Sequence, residues 1–173
     1  MKTLKISFLL FMSLITLNLV AQDKTDRPSP PKSESETVKS TEITIDYSSP
    51  AVKDRTVWGD LVPYGKTWRT GANEATTLTV SKDVKIDGKA LKAGKYSLFT
   101  IPGEKEWTFI VNSVWDQWGD YNYDSSKDAI RFTAKPYRLD EKEERLKFEI
   151  SDDGKVELEW DQLGVSFMIE TMK

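Results

Sequence analysis

The chain contains neither cysteine nor histidine in its 173 residues. Without cysteine there can be no disulfide, no thiolate nucleophile, no cysteine-held iron–sulfur cluster and no lipid-modified cysteine. Without histidine a Ser-His-Asp triad and a Cys-His pair are impossible. The usual zinc sites built from those two residues disappear with them, as does haem on His or Cys axial ligands. Phosphate-cradling glycine patterns are missing as well: there is no GxGxxG and no P-loop. No Lys/Arg cluster stands alone on an expected face, and the formal net charge is -3. Nucleic-acid binding, whose affinity rests on phosphate contacts, is therefore disfavoured. Carboxylate acid–base chemistry, carboxylate-held metals, Tyr or Lys chemistry and plain binding survive. No cofactor is implied.

What is present begins with an address. Lys2 and Lys5 precede an apolar run from Ile6 to Val20, and Ala21 offers a small residue before Gln22. Basic start, apolar middle and small end make residues 1–21 a secretory signal peptide. The run is short for a membrane span, which needs roughly 20 apolar residues. The protein is expected to be exported, periplasmic or secreted, with no membrane attachment after cleavage. Residues 22–40 are rich in Pro, Ser and mixed charge, with Val38 their only large apolar residue. Such a stretch buries too little surface to offset its ordering entropy, so it reads as a flexible linker.

The folded part, 41–173, alternates with the period of strands. Ile43, Ile45 and Tyr47 share one side, as do Leu146, Phe148 and Ile150. Val84 and Ile86 run into Asp87-Gly88, a two-residue hairpin signal. Ser97–Ile101 and Trp107–Val111 are nearly all apolar and read as central strands covered on both faces. A short strand is expected within Val52–Val57, and Leu139–Arg145 alone has helical character. About eight to ten strands separated by turns, each wet on one face, predict an all-β fold: one antiparallel β-sandwich or jelly-roll-like domain, with a barrel as second choice.

Two irregular stretches carry the chemistry. In Trp58–Thr77 the strand alternation fades, and glycines punctuate Trp58, Tyr64, Trp68, Arg69, Asn73 and Glu74. The aromatic rings suit a sugar face, Arg69 suits a carboxylate or phosphate, and Asn73 suits hydroxyls. In the competing structural reading the tryptophans cap the core and Arg69 pairs with Glu74 or Asp60. The second stretch, Asn112–Asp128, sets Trp115, Trp118, Tyr121 and Tyr123 among aspartates. Asp120, Asn122, Asp124 and Asp128 start like a calcium loop, but Ser125 stands where Gly is required and Arg131 where the bidentate Glu belongs. A folded loop with Asx-turns fits better, and no metal is assigned. Asp60 with Glu74 or Asp116 would supply the two carboxylates a glycoside hydrolase needs, at a separation the sequence does not give.

The strings LVPYGKTWRTGANEATTLTVSKDVKIDGK, LKAGKYSLFTIPGEKEWTFIVN and WDQWGDYNYDSSKDAIRF together resemble the domain-of-unknown-function family 2911. The resemblance covers nearly everything from Ser49 onward. It implies export and one β-rich domain, and brings no catalytic residue. The leading expectation is a saccharide or small polar ligand bound by Trp58, Tyr64, Trp68, Arg69, Asn73, Glu74, Trp115 and Trp118. A carboxylate-dependent glycan hydrolase or lyase and an envelope interaction domain using the Trp115–Tyr123 loop are the alternatives. Oligomeric state, and whether the two aromatic stretches form one cleft, stay open.

Overall fold

The computed structural model describes residues 26–172. The stretch read as a signal peptide lies outside them. Ten strands build two antiparallel sheets that face one another as a sandwich. In chain order they are β1 (Pro31–Val38), β2 (Thr41–Ser48), β3 (Thr77–Val80), β4 (Val84–Ile86) and β5 (Lys89–Leu91). There follow β6 (Gly94–Ile101), β7 (Trp107–Asn112), β8 (Asp128–Ala134), β9 (Tyr137–Ile150) and β10 (Lys155–Thr171). The six-stranded sheet has the order β1-β2-β3-β6-β7-β8, and the four-stranded sheet β5-β4-β10-β9.

Alternation decides which face of each strand turns inward. Ile43, Ile45 and Tyr47 of β2 are buried between the sheets, and Tyr47 meets Phe148 of β9 edge to face at 5.0 Å. Phe109, Phe132 and Phe167 close the core at 5.0–5.2 Å from one another. β6 and β7 lie inside the larger sheet and are buried on both sides, as their apolar runs require. Their outward residues Phe99 and Ile110 form a small separate cluster under Ala75 and Tyr123. The Asp87-Gly88 hairpin forms as expected: both residues have positive φ (50° and 70°), the twist that a two-residue β-turn needs.

Three expectations are corrected. Pro31–Val38 is no tether; it is an edge strand paired over its whole length with β2, Pro31 opposite Ser48 and Val38 opposite Thr41. An edge strand needs a backbone partner and only one covered side, so a polar sequence suffices, and its charges guard against further pairing. Val52–Val57 is a turn, because Lys53 and Asp54 adopt left-handed φ of 49° and 57°. Leu139–Arg145 is extended within β9: ladder pairing with β10 overrides the helical character of its charged run. The ladder is interrupted at Asp161 (φ 55°), a bulge that lets β10 continue as one strand through its bend.

Candidate functional site

The six tryptophans divide into two groups. Trp58 and Trp68, with Trp107 and Trp160, form one cluster at an end of the core. Trp58 lies 4.8 Å from Trp107, 5.7 Å from Trp160 and 5.9 Å from Trp68, all edge to face. Trp68 stacks on Trp160 at 6.0 Å and donates its indole N–H to the Gly71 carbonyl at 3.1 Å. Among the described residues, the buried indole N–H groups of Trp58, Trp107 and Trp160 meet no hydrogen-bond acceptor. Edge-to-face geometry sets the positive edge of one ring on the negative face of another. Trp58 and Trp68, both part-buried, thus pack against the core between the sheets. Backbone pairing explains the position: Trp68 forms a bridge with Thr100 of β6, which turns its side chain inward with that strand's core face. Tyr64 is half-buried beside Gly59 on the neighbouring turn, and burial raises its phenol pKa, helped by Glu104.

Trp115 and Trp118, by contrast, are 47% and 52% exposed. They flank the place where the two irregular stretches meet. Ala75 N–H donates to Gln117 (3.0 Å), Gly119 N–H donates to Asn73 (3.1 Å), and Glu74 bridges Trp118. One cleft of about 610 Å³ results. Its walls are Glu74, Ala75 and Trp115–Trp118, and its floor is the outer face of β1–β3 with the start of β6. The loop folds this way because a polar row crosses the outer face of the larger sheet. Ser33, Asp46, Thr77, Ser97, Asn112 and Asp128 stand opposite one another from β1 to β8. The far half of that row holds the loop. The Asn112 amide donates to the Asp124 carbonyl (2.9 Å) and the Asp128 carboxylate (2.8 Å), and its own oxygen accepts from Val114 N–H (3.0 Å). Ser97 donates to the Val114 carbonyl and accepts from Gln117.

The near half of the row faces the cleft. Asp46 accepts from the Ser33 hydroxyl (2.7 Å) and from Lys95 (3.2 Å). Burial pushes its carboxyl pKa up, but those hydrogen bonds and the Lys95 charge hold it below the ordinary value. Lys95 also lies 5.1 Å from the Trp115 ring, a cation–π distance. At the other wall Arg27 bonds both Glu74 oxygens (3.0 and 2.9 Å) and stands 5.9 Å from the Trp118 ring. Asn73, at φ 57°, donates its amide to the Ser29 carbonyl at 3.0 Å. Thr70, β-branched and at φ 57°, is held there by its bond to Thr100 (3.2 Å) and by Thr76 donating to its carbonyl (2.8 Å).

A family model described as a protein of unknown function (DUF2911) matches residues 29–169. The chain belongs to the DUF2911 family. No curated protein and no solved structure matches it. The match to DUF2911 begins two residues before β1, so the edge strand belongs to the family's domain.

Within this DUF2911 domain the cleft assembles Glu74, Trp115 and Trp118 from the sequence-based set, with Asn73 next to Glu74 in the chain but outside the lining. The lining leaves out Trp58, Tyr64, Trp68 and Arg69. Arg69 is half-buried beside Gly119, next to Trp118 in the chain, and pairs with neither Glu74 nor Asp60. Asp60 is exposed on the turn closed by Gly59 N–H to Val62 (2.9 Å) and does not line the cleft, so the Asp60–Glu74 carboxylate pair is not assembled there. Asp116 of the second stretch lines the cleft, whereas Asp124 and Asp128 serve the loop itself. Asp124 accepts from Ser126 N–H (2.9 Å), and Asp128 accepts from Tyr123 (2.9 Å) and Arg131 (2.7 Å). Among the described residues no group of three metal-ligating side chains converges.

Arg27, Ser33, Asp46, Lys95 and Gln117 were missed by sequence reasoning. The outward position of Asp46 in β2 was legible, but nothing ranked it above Thr44. Arg27 and Ser33 were hidden inside a presumed tether. A second cavity, about 680 Å³, follows the seam between β1 and β9. Lys32, Arg145 and Lys147 line it; Lys147 already pairs with Glu149 (2.9 Å), Glu159 (2.9 Å) and Glu143 (3.5 Å), and the first two raise its pKa.

Proposed function

We propose that this protein is an exported binding module that holds a saccharide or small polar molecule in the cleft between β1–β3 and the Trp115–Trp118 loop. One observation carries the reading. Four of six tryptophans lie in the core or pack against it, and the two exposed ones flank the cleft whose floor is polar. An exposed indole beside hydroxyls, an amide and carboxylates suits a ligand with an apolar ring face and a hydroxyl rim. Asp46, held ionised, serves as an acceptor for such hydroxyls. Glu74, bonded by Arg27, presents its carboxylate at the opposite wall.

Titration calorimetry against a panel of mono- and oligosaccharides tests this. Trp118→Ala and Trp115→Ala should each weaken binding by about 2 kcal/mol, roughly 30-fold in Kd, with the fold intact. A panel that gives no heat, together with an envelope protein captured by the wild type and lost on Trp118→Ala, would replace this reading with the interaction domain. Export predicts a mature protein beginning at Gln22; an N-terminus at Met1 in protein recovered from cells would overturn that part.

A further inference from the structure

We infer that the ligand of this cleft is acidic, and that a sugar carboxylate, as in a uronic acid, is received by Arg69. The inference rests on the saccharide reading above and names its class. All six arginines of the chain lie among the described residues. Five are hydrogen-bonded: Arg27 to Glu74, Arg55 to the Val52 and Ala51 carbonyls, Arg131 to Asp128, Arg138 to Gln162 and Arg145 to the Ser49 carbonyl. The Arg69 side chain makes no hydrogen bond and no ion pair with any described residue, and its Nε is buried without an acceptor. A buried N–H of a charged group left unpaired is costly, and an anionic ligand removes that cost.

The surroundings are shaped for the guanidinium. Gly119 adopts φ 65°, and a Cβ there would stand 2.8 Å from Arg69 Nη1 and 3.1 Å from the Tyr121 ring. The absent side chain therefore leaves room for the guanidinium beside an aromatic ring that is 80% exposed. Trp118, the next residue back, lines the cleft. Three neighbouring cations are already matched: Arg27 to Glu74, Lys95 to Asp46 and Arg131 to Asp128. A planar fork with free donors favours a carboxylate, which accepts two parallel bonds, and the exposed rings alongside favour a pyranose carrying it.

The test is a nitrogen-15 NMR titration of the intact protein at low salt. It follows the Arg69 Nε–Hε and Trp118 indole signals with glucuronate, galacturonate, their methyl esters, glucose and inorganic phosphate. The expected result is saturable movement of both signals with a uronate, about tenfold tighter than with glucose, and loss of that preference on esterification. Arg69→Lys, which keeps the charge but loses the fork, should lose most of the preference, as should Arg69→Ala shown folded by circular dichroism. Trp118 moving with glucose and uronate alike while Arg69 stays still would overturn the acidic inference and leave the saccharide reading standing. Stillness of both signals with every sugar would overturn both. Movement of Arg69 with phosphate alone would replace the carboxylate by a phosphate.

Discussion

The division of tryptophans between core and cleft makes one substitution pair decisive. Trp68→Ala removes an indole that touches Trp58, Trp107 and Trp160 at 5.9, 6.4 and 6.0 Å and donates to the Gly71 carbonyl. Such truncations cost about 3–5 kcal/mol; because Trp68 is only half-buried, the low end, about 3 kcal/mol, applies. Trp118→Ala removes a ring that is 52% exposed and whose charged neighbour is Arg27 at 5.9 Å. Its loss should be at most about 1 kcal/mol, the scale of an exposed cation–π contact. Urea unfolding followed by far-ultraviolet circular dichroism separates the two. With a slope of about 2 kcal/mol per molar urea, Trp68→Ala should lower the midpoint by about 1.5 M and Trp118→Ala by under about 0.5 M. Equal shifts, or a Trp68→Ala midpoint within about 0.5 M of wild type, would refute the assignment of Trp68 to the packing.

Gly154→Ala should be costly for a sheet-closing position, about 2 kcal/mol or more by thermal unfolding. Its φ is 93° and a Cβ would press on the Ile169 carbonyl, a backbone atom that cannot swing aside. Asp46 has a carboxyl pKa lowered in the fold, so its contribution is present above its unfolded value, about 3.9, and is lost as pH falls through the folded value. Stability measured from pH 6 downward should therefore decline more gently below about pH 4 in Asp46→Asn than in wild type. Arg27→Ala breaks an exposed-side ion pair and a ring contact; stability should change by less than about 1 kcal/mol, while Trp118 fluorescence shifts as its cation leaves.

Most of the sheet was legible because burial imposes period-two alternation. Ile43, Ile45 and Tyr47, or Leu146, Phe148 and Ile150, declare their inward side unaided, and Asp87-Gly88 declares its turn. β1 was not legible, since its stability comes from backbone pairing along Thr41–Ser48 and not from side chains of its own. Trp58 and Trp68 misled for a related reason. Glycines around them mark an irregular backbone, and irregular backbone is normally exposed; here the segment is folded back along β6, so its rings point inward. The part of the candidate site that was found, Glu74, Trp115 and Trp118, lay in loops where ring and charge are dense. The part that was missed depends on register. Ser33, Asp46 and Thr77 become neighbours only when three strands align, and no local pattern encodes that alignment.

The order of strands in the smaller sheet has a kinetic consequence. Its inner strands are β4 and β10, with Ile86 opposite Ile169 and Val84 opposite Thr171. β4 is synthesised well before its partner: Ile169 of β10 lies 83 residues after Ile86. Until β10 emerges, Val84, Ile86 and Leu91 lack the strand that completes their sheet. A nascent chain therefore cannot close its sandwich, however long it waits. Folding dominated by such distant pairings falls in the millisecond-to-second range. Removing Ile169–Thr171 of β10 takes away every residue paired with β4 and should lower the thermal unfolding midpoint sharply.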